Sequence, residues 1–132
     1  MTDTIRVLLA EDDSELRPTL VEILEKAGFE VIDVSDGLAV QAYADDCFVY
    51  DKPHRRVHVL VSDIRMPGLN GLRLLEHVRD LGWDVPTVLI TAFGDAETRA
   101  LAKELGAYRV LDKPFSPEAL QECVRDAYQA AR

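Results

Sequence analysis

Residues 5–17 read Ile5-Arg-Val-Leu-Leu-Ala-Glu-Asp-Asp-Ser-Glu-Leu-Arg17, a short apolar run that stops at three consecutive carboxylates, Glu11, Asp12 and Asp13. A continuous apolar stretch this short, bounded by polar residues, reads as a strand buried on both faces. Similar segments recur along the chain. Phe29 to Val34 alternates, Val57 to Val61 is β-branched, Val85 to Ile90 is apolar, and Val110-Leu111 is a brief last one. Between them apolar residues take helical spacing: Leu16, Leu20, Ile23 and Ala27; Leu72, Leu75 and Val78; Thr98, Leu101, Ala102 and Leu105; Leu120, Val124, Ala127 and Ala131. Gly28 and Gly106 stand where a helix C-terminus favours a left-handed residue. Ser14, Asp36, Asn70, Asp95 and Ser116 are candidate N-caps, with Pro117 in a first helical turn.

Five short strands, each followed by a helix, imply a parallel sheet covered on both faces by right-handed crossovers, a doubly wound α/β domain. In such sheets the chemistry lies in the crevice at the C-terminal ends of the strands, where strand order reverses. The residue that ends each strand is therefore the informative one. Strand one ends in Glu11-Asp12-Asp13, strand three in Ser62-Asp63, strand four in Thr91-Ala92, and strand five in Asp112-Lys113-Pro114.

Length and composition fit that reading. A chain of 132 residues, 48% hydrophobic and 30% charged, suits one globular domain, with a core over about residues 5–131 and no separate output domain. A formal charge of −9 argues against binding nucleic acid or anionic membrane, and Arg55-Arg56 is too short to make a basic patch. No apolar run approaches membrane-spanning length and no secretory leader pattern opens the chain. Cys47 and Cys123 have no metal or redox spacing, so they are expected to be reduced thiols of a cytoplasmic protein. His54, His58 and His77 share no ligand spacing, Cys123 has no apparent base, and Trp83 reads as loop cover. The segment from Cys47 to Arg56 is longer than a minimal connection, either tolerated loop length, the favoured reading, or a partner-specific contact, with helix two extending to about Tyr50 before Lys52-Pro53.

Clustered carboxylates at one sheet edge repel, and without a counter-cation at least one would take up a proton. A hard divalent cation removes the conflict, and Mg²⁺, or Mn²⁺ in its place, suits a site of few carboxylates, waters and a phosphate oxygen. Asp63 is then a candidate nucleophile toward phosphorus, with Lys113 and the Thr91 hydroxyl as partners for the phosphoryl oxygens.

The acidic pair after strand one, Val61-Ser-Asp-Ile-Arg-Met-Pro-Gly68 with Asn70-Gly71, Leu89-Ile-Thr-Ala92 and Lys113-Pro-Phe115 follow in order, each at a strand end. Together they resemble the receiver domain of two-component response regulators, of the flavodoxin-like, chemotaxis-regulator-like kind, over almost the whole chain. The resemblance implies that Asp63 accepts a phosphoryl group from a phosphohistidine of a sensor histidine kinase or histidine phosphotransfer protein. It implies Mg²⁺ held by Glu11, Asp12, Asp63 and the Arg65 backbone carbonyl, with Thr91 as switch hydroxyl, Lys113 as ion-pair partner and a cis Lys113-Pro114 bond. In the family the acidic pair is followed, after three residues, by a core Leu and often Arg; Leu16-Arg17 therefore makes the pair Glu11-Asp12 and leaves Asp13 to the helix start.

Two departures bear on the switch. The family's usual Tyr or Phe three residues before the Lys is Val110, and Tyr108, two residues earlier, is the candidate substitute for signalling to the face of helix four, strand five and helix five. Arg65 and Phe93, with Ala92, are expected at the rim of the pocket, where bulk would slow the water that hydrolyses an acyl phosphate. Self-catalysed phosphorylation is expected without turnover of small substrates, with output through binding, relay or a partner chain. A phosphorylation-independent interaction module is the first alternative, suggested by Val110. An aspartyl-phosphate phosphatase is the second, opposed by Arg65 where such enzymes carry the second Asp of Asp-x-Asp. A nucleotide carrier is disfavoured because no Gly-rich loop follows strand one.

Overall fold

The computed structural model describes residues 4–48, 57–66, 68–92 and 94–131. Among them the elements alternate: β1 (Arg6–Ala10), α1 (Leu16–Lys26), β2 (Glu30–Val34), α2 (Gly37–Phe48), β3 (Val59–Asp63), α3 (Gly71–Asp80), β4 (Thr87–Thr91), α4 (Ala96–Glu104), β5 (Arg109–Asp112) and α5 (Pro117–Ala130). The strands form one parallel sheet in the order β2-β1-β3-β4-β5. This is the doubly wound (βα)5 architecture, and β3 and β4 reach two and one residues further than the apolar runs alone indicate, to Asp63 and Thr91. The extension puts both polar residues inside the strands that present them.

Side-chain alternation divides the core in two. Leu8, Leu60 and Leu89 face Val40 and Ala44 of α2, Leu74, Leu75 and Val78 of α3, and Ala102 of α4. Val7, Leu9, Val61 and Ile90 face Leu20 and Leu24 of α1 and Leu120, Val124 and Ala127 of α5. The chain leaves β1 toward one edge, returns past it to β3, and continues toward the other; right-handed crossovers then send α1 to one face and α2 to α4 to the other. That reversal lies between β1 and β3, so the crevice opens where Glu11, Asp12 and Asp63 end their strands.

Helix ends follow sequence signals, with one correction. The side chains of Asn70, Asp95 and Ser116 accept hydrogen bonds from the N–H groups of Arg73, Thr98 and Ala119, and Asp36 accepts from Ala39. For α1 the capping side chain is Asp13, not Ser14: its Oδ1 accepts from Glu15 N–H at 2.9 Å and Leu16 N–H at 3.1 Å. A carboxylate meets two orphan donors and the positive helix end at once, which a hydroxyl does less well. Gly28 and Gly106 take φ of 93° and 90° after α1 and α4, as expected of helix-ending glycines. Within α4 only Ala102 is buried; Leu101, expected on the inner face, is 42% exposed.

Trp83 and Cys47 are core residues, and Cys123 is buried on α5, where burial pushes its thiol up. His58 Nδ1 accepts from Arg6 N–H, and His77 pairs with Asp45 across α2 and α3. The proposed run of α2 to Tyr50, Lys52-Pro53, His54, Arg55-Arg56, Pro67 and Phe93 lie outside the described residues.

Candidate functional site at the C-terminal edge of the sheet

Among the described residues the buried polar side chains are Glu11, Ser62, Asp63, Thr87 and Thr91. Three of them, Glu11, Asp63 and Thr91, lie at the C-terminal edge of the sheet. Buried carboxylates are rare without partners, so their concentration there marks a site.

Each is delivered by a different strand. Glu11 follows β1, with its N–H donating to Val34 O at 3.1 Å, and its side chain is 1% exposed. Asp63 closes β3, 6% exposed, and its Oδ1 lies 3.3 Å from the Arg65 N–H. Beneath it the start of α3 packs so closely that a Cβ on Gly71 would stand 2.6 Å from Asp63 O and 3.0 Å from Ile64 Cα. No side chain fits there, which gives Gly71 of the Asn70-Gly71 pair a physical role that periodicity could not indicate. Thr91 closes β4 and is registered beside Asp112 of β5. Its carbonyl accepts from Lys113 N–H at 2.8 Å, tying the residue after β5 to the same edge. The Lys113-Pro114 peptide bond is cis.

Side chains converge on Asp63. Lys113 Nζ lies 2.8 Å from Asp63 Oδ2 and 3.4 Å from Glu11 Oε1. One carboxylate oxygen each from Glu11, Asp12 and Asp63 lies within 4.8 Å of the others. Asp13 is not among them; it points instead to the backbone of α1. Its carboxyl is held below the ordinary Asp range by the Leu16 and Glu15 N–H bonds.

The electrostatics are unbalanced. Burial, first of all, pushes the Glu11 carboxyl up to about 7; the Asp63 charge adds to this, while the Asp13 N–H and Lys113 oppose it. For Lys113, burial alone would lower the pKa, but the hydrogen bond and charge of Asp63, then of Glu11, outweigh it and hold it above the ordinary lysine value. Of the three grouped carboxylates, the Lys113 ammonium contacts two, those of Asp63 and Glu11. A second, hard cation of small radius is what this donor set fits, because it would replace the proton that Glu11 otherwise takes up near neutral pH.

Of the expected rim and switch residues, Arg65 and Ala92 lie at this centre, whereas Tyr108, whose N–H donates to Thr87 O at the start of β4, lies at the opposite, N-terminal end of the sheet. Arg65 and Ala92 are exposed beside Asp63 and Thr91, while Phe93 lies outside the described residues. Val110 is half-buried in β5. Tyr108 precedes that strand, 37% exposed, in a surface groove also lined by Arg99, Lys103 and Arg109. The Arg109 guanidinium lies 5.5 Å from the Tyr108 ring centroid. Reading only strand ends missed Arg17 of α1, whose side chain reaches the carbonyl of Glu11. The Leu16-Arg17 pair was the signal, but it served to set register and did not suggest a contact.

Residues 7–125 match the response regulator receiver domain model. The C4-dicarboxylate transport transcriptional regulatory protein DctD of Pseudomonas aeruginosa is 39% identical over 127 residues, 96% of this chain and 26% of that protein. The transcriptional regulatory protein FixJ of Bradyrhizobium diazoefficiens is 32% identical over 131 residues, 99% of this chain and 60% of that protein. The chain thus spans between about a quarter and three-fifths of these two relatives. Among solved structures, FixJ-N superposes with a TM-score of 0.83 at 31% identity, covering 98% of this chain and 96% of that one. The chemotaxis protein CheY4 of Vibrio cholerae gives 0.83 at 28% identity, over 95% and 99% of the two chains. Receiver domains of response regulators serve as phosphoacceptors in signalling and bind Mg²⁺ at an acidic pocket. With its motifs, sheet order and strand-end carboxylates all of this type, the chain belongs to the response regulator receiver domain family.

Proposed function

We propose that the protein is a phosphorylation switch in which Asp63 accepts a phosphoryl group from a phosphohistidine of a sensor histidine kinase or histidine phosphotransfer protein. The observation that carries this reading is the contact of Lys113 Nζ with Asp63 Oδ2, 2.8 Å, beside two further carboxylates at the point of strand reversal. A carboxylate oxygen of Asp63 attacks phosphorus, the P–N bond to the donor imidazole breaks, and the imidazole leaves with the bonding pair. Asp63 is pre-oriented for this by donors on both its oxygens, Lys113 Nζ and the Arg65 N–H. Lys113 keeps its proton throughout, since its carboxylate neighbours hold its pKa up, and so remains a cation to pair with a phosphoryl oxygen. The Thr91 hydroxyl, on the adjoining strand end, is the group to donate to another. Mg²⁺, or Mn²⁺, held by Glu11, Asp12, Asp63 and the Arg65 carbonyl would supply the charge neutralisation that the transferring group needs.

Output runs through the face of α4, β5 and α5, with Tyr108 taking the place of the aromatic that Val110 lacks. Supporting this, Tyr108 is exposed on that face beside Arg109. Arg65 at the rim would slow hydrolysis, so Arg65→Ala should shorten the lifetime of the acyl phosphate. The protein acts as one receiver unit, by binding or relay, in the cytoplasm; the buried cysteines Cys47 and Cys123, on α2 and α5, accord with a reducing compartment.

The test is incubation with Mg²⁺ and acetyl phosphate, followed by mass spectrometry of the intact chain. A gain of one phosphoryl group that is lost in Asp63→Asn and in Asp12→Asn is expected. No gain in the wild-type chain would favour a phosphorylation-independent interaction module.

A further inference from the structure

The backbone of the loop that carries Glu11 and Asp12 is held by the side chain of Arg17. Arg17 Nη1 donates to Glu11 O at 2.9 Å, reaching back six residues from the first turn of α1. Arg17 Nε lies 3.3 Å from Asp33 Oδ2 on β2. Its own backbone N–H donates to Asp13 O at 2.9 Å. One residue therefore grips the loop at residues 11 and 13 and braces it against the neighbouring strand.

The Glu11 carbonyl belongs to the peptide unit that joins Glu11 to Asp12. With the Glu11 N–H on Val34 O, the backbone of Glu11 is tied on both sides, and the Arg17 bond sets the plane from which Asp12 departs. Asp12 itself is exposed, and no hydrogen bond of its side chain is needed to explain its place beside Glu11 and Asp63. The backbone orientation does that. We infer that Arg17 is a positioning residue for the acidic pair, acting through the Glu11–Asp12 peptide to keep both carboxylates aimed at a shared cation. The inference rests on the proposed role of those carboxylates in holding Mg²⁺.

Two plainer readings make different predictions. As a partly exposed ion pair with Asp33, Arg17 would add at most a small increment of stability. As a nearby positive charge it would weaken the binding of any cation, so its removal would tighten Mg²⁺ binding. Positioning demands the opposite sign: loss of an outer partner that orients metal ligands weakens metal affinity about 10-fold or more.

The experiment is titration calorimetry of the whole, unphosphorylated chain with Mg²⁺ at pH 8, alongside thermal unfolding in EDTA. The expected result is a dissociation constant raised about 10-fold in Arg17→Gln, a smaller rise in Arg17→Lys, and a far-UV circular dichroism spectrum like that of the wild type. Arg17→Lys retains the charge but cannot span both Glu11 O and Asp33, so it separates geometry from Coulomb attraction even where Arg17→Gln folds poorly. Unchanged or tighter Mg²⁺ binding in the folded variants would overturn the inference, whatever happens to Tm. A wild-type chain that binds no Mg²⁺ would overturn the proposed function itself, an outcome distinct from wild-type binding that the Arg17 variants leave unaltered.

Discussion

Two half-buried cations stand at opposite ends of the same sheet. At the N-terminal end Arg79 donates to three carbonyls, Trp83 O and Val85 O at 2.9 Å and Gly106 O at 3.1 Å. At the C-terminal end Lys113 meets Asp63 and Glu11. Burial lowers the Arg79 pKa, only partly offset by Asp84, whereas the carboxylates raise that of Lys113 against its burial. Arg79 closes loops by donating to neutral carbonyls, with Asp84 as its charged neighbour. Lys113 leaves the site short of positive charge, and an imbalance that folding does not require is the mark of a place kept for something else.

The largest consequence concerns Lys113. Lys113→Met should lower acetyl phosphate-driven phosphorylation of Asp63 by about 100-fold, the cost of losing one pre-positioned donor to developing charge, while the circular dichroism spectrum stays native. Arg79→Leu should do the reverse. Leaving buried carbonyls without a donor should cost about 2–3 kcal/mol in urea unfolding, with phosphorylation of the folded protein unchanged. If Arg79→Leu impaired phosphorylation as strongly as Lys113→Met, the division between a structural and a functional end would fail.

Glu11 gives a pH test of the same imbalance. Its carboxyl rises from 4.5 to about 7 on folding, so the folded chain binds more protons than the unfolded chain between those values. Its contribution to stability is therefore complete below about pH 4.5 and is lost as pH rises through 7. In EDTA the wild-type Tm should fall across pH 5 to 8 relative to Glu11→Gln, whose profile lacks this component. Saturating Mg²⁺ should flatten the wild-type profile, because the ion favours the ionised carboxylate.

The smallest effect expected is that of Asp13→Asn. It keeps a capping oxygen for α1, so Tm should drop by only about 3 °C, and most of the phosphorylation should survive. Asp12→Asn, one residue away, should abolish phosphorylation. Equal losses in the two variants would mean that the acidic pair is Asp12-Asp13.

Much of this was legible along the chain. Short apolar or alternating runs placed the five strands and a 3.6-residue spacing placed α1, α3, α4 and α5, whereas α2 shows in the sequence only through the Asp36 cap and the alternation of elements. The polar residue ending each apolar run marked Asp63, Thr91 and Lys113 as candidates. Local signals failed where partners were distant or alternatives were equivalent. Ser14 and Asp13 are both capping residues, and only the path of the chain into α1 selects Asp13. Leu101 keeps helical spacing, yet α4 presents only Ala102 to the core.

Composition and pattern were thus sufficient for the fold class and the strand ends, because each depends on neighbours within a few residues, whereas the choice of Glu11-Asp12 as the acidic pair rests on the receiver-domain resemblance. The grip of Arg17 on the acidic loop, the tight seat of Gly71 under Asp63, the Arg79 bridge and the contact of Lys113 with Glu11 could be seen only in three dimensions. They join residues up to 102 positions apart, as Glu11 and Lys113 are. Packing, burial and the balance of charge are properties of what surrounds a group, and the order of residues along the chain does not state what surrounds it.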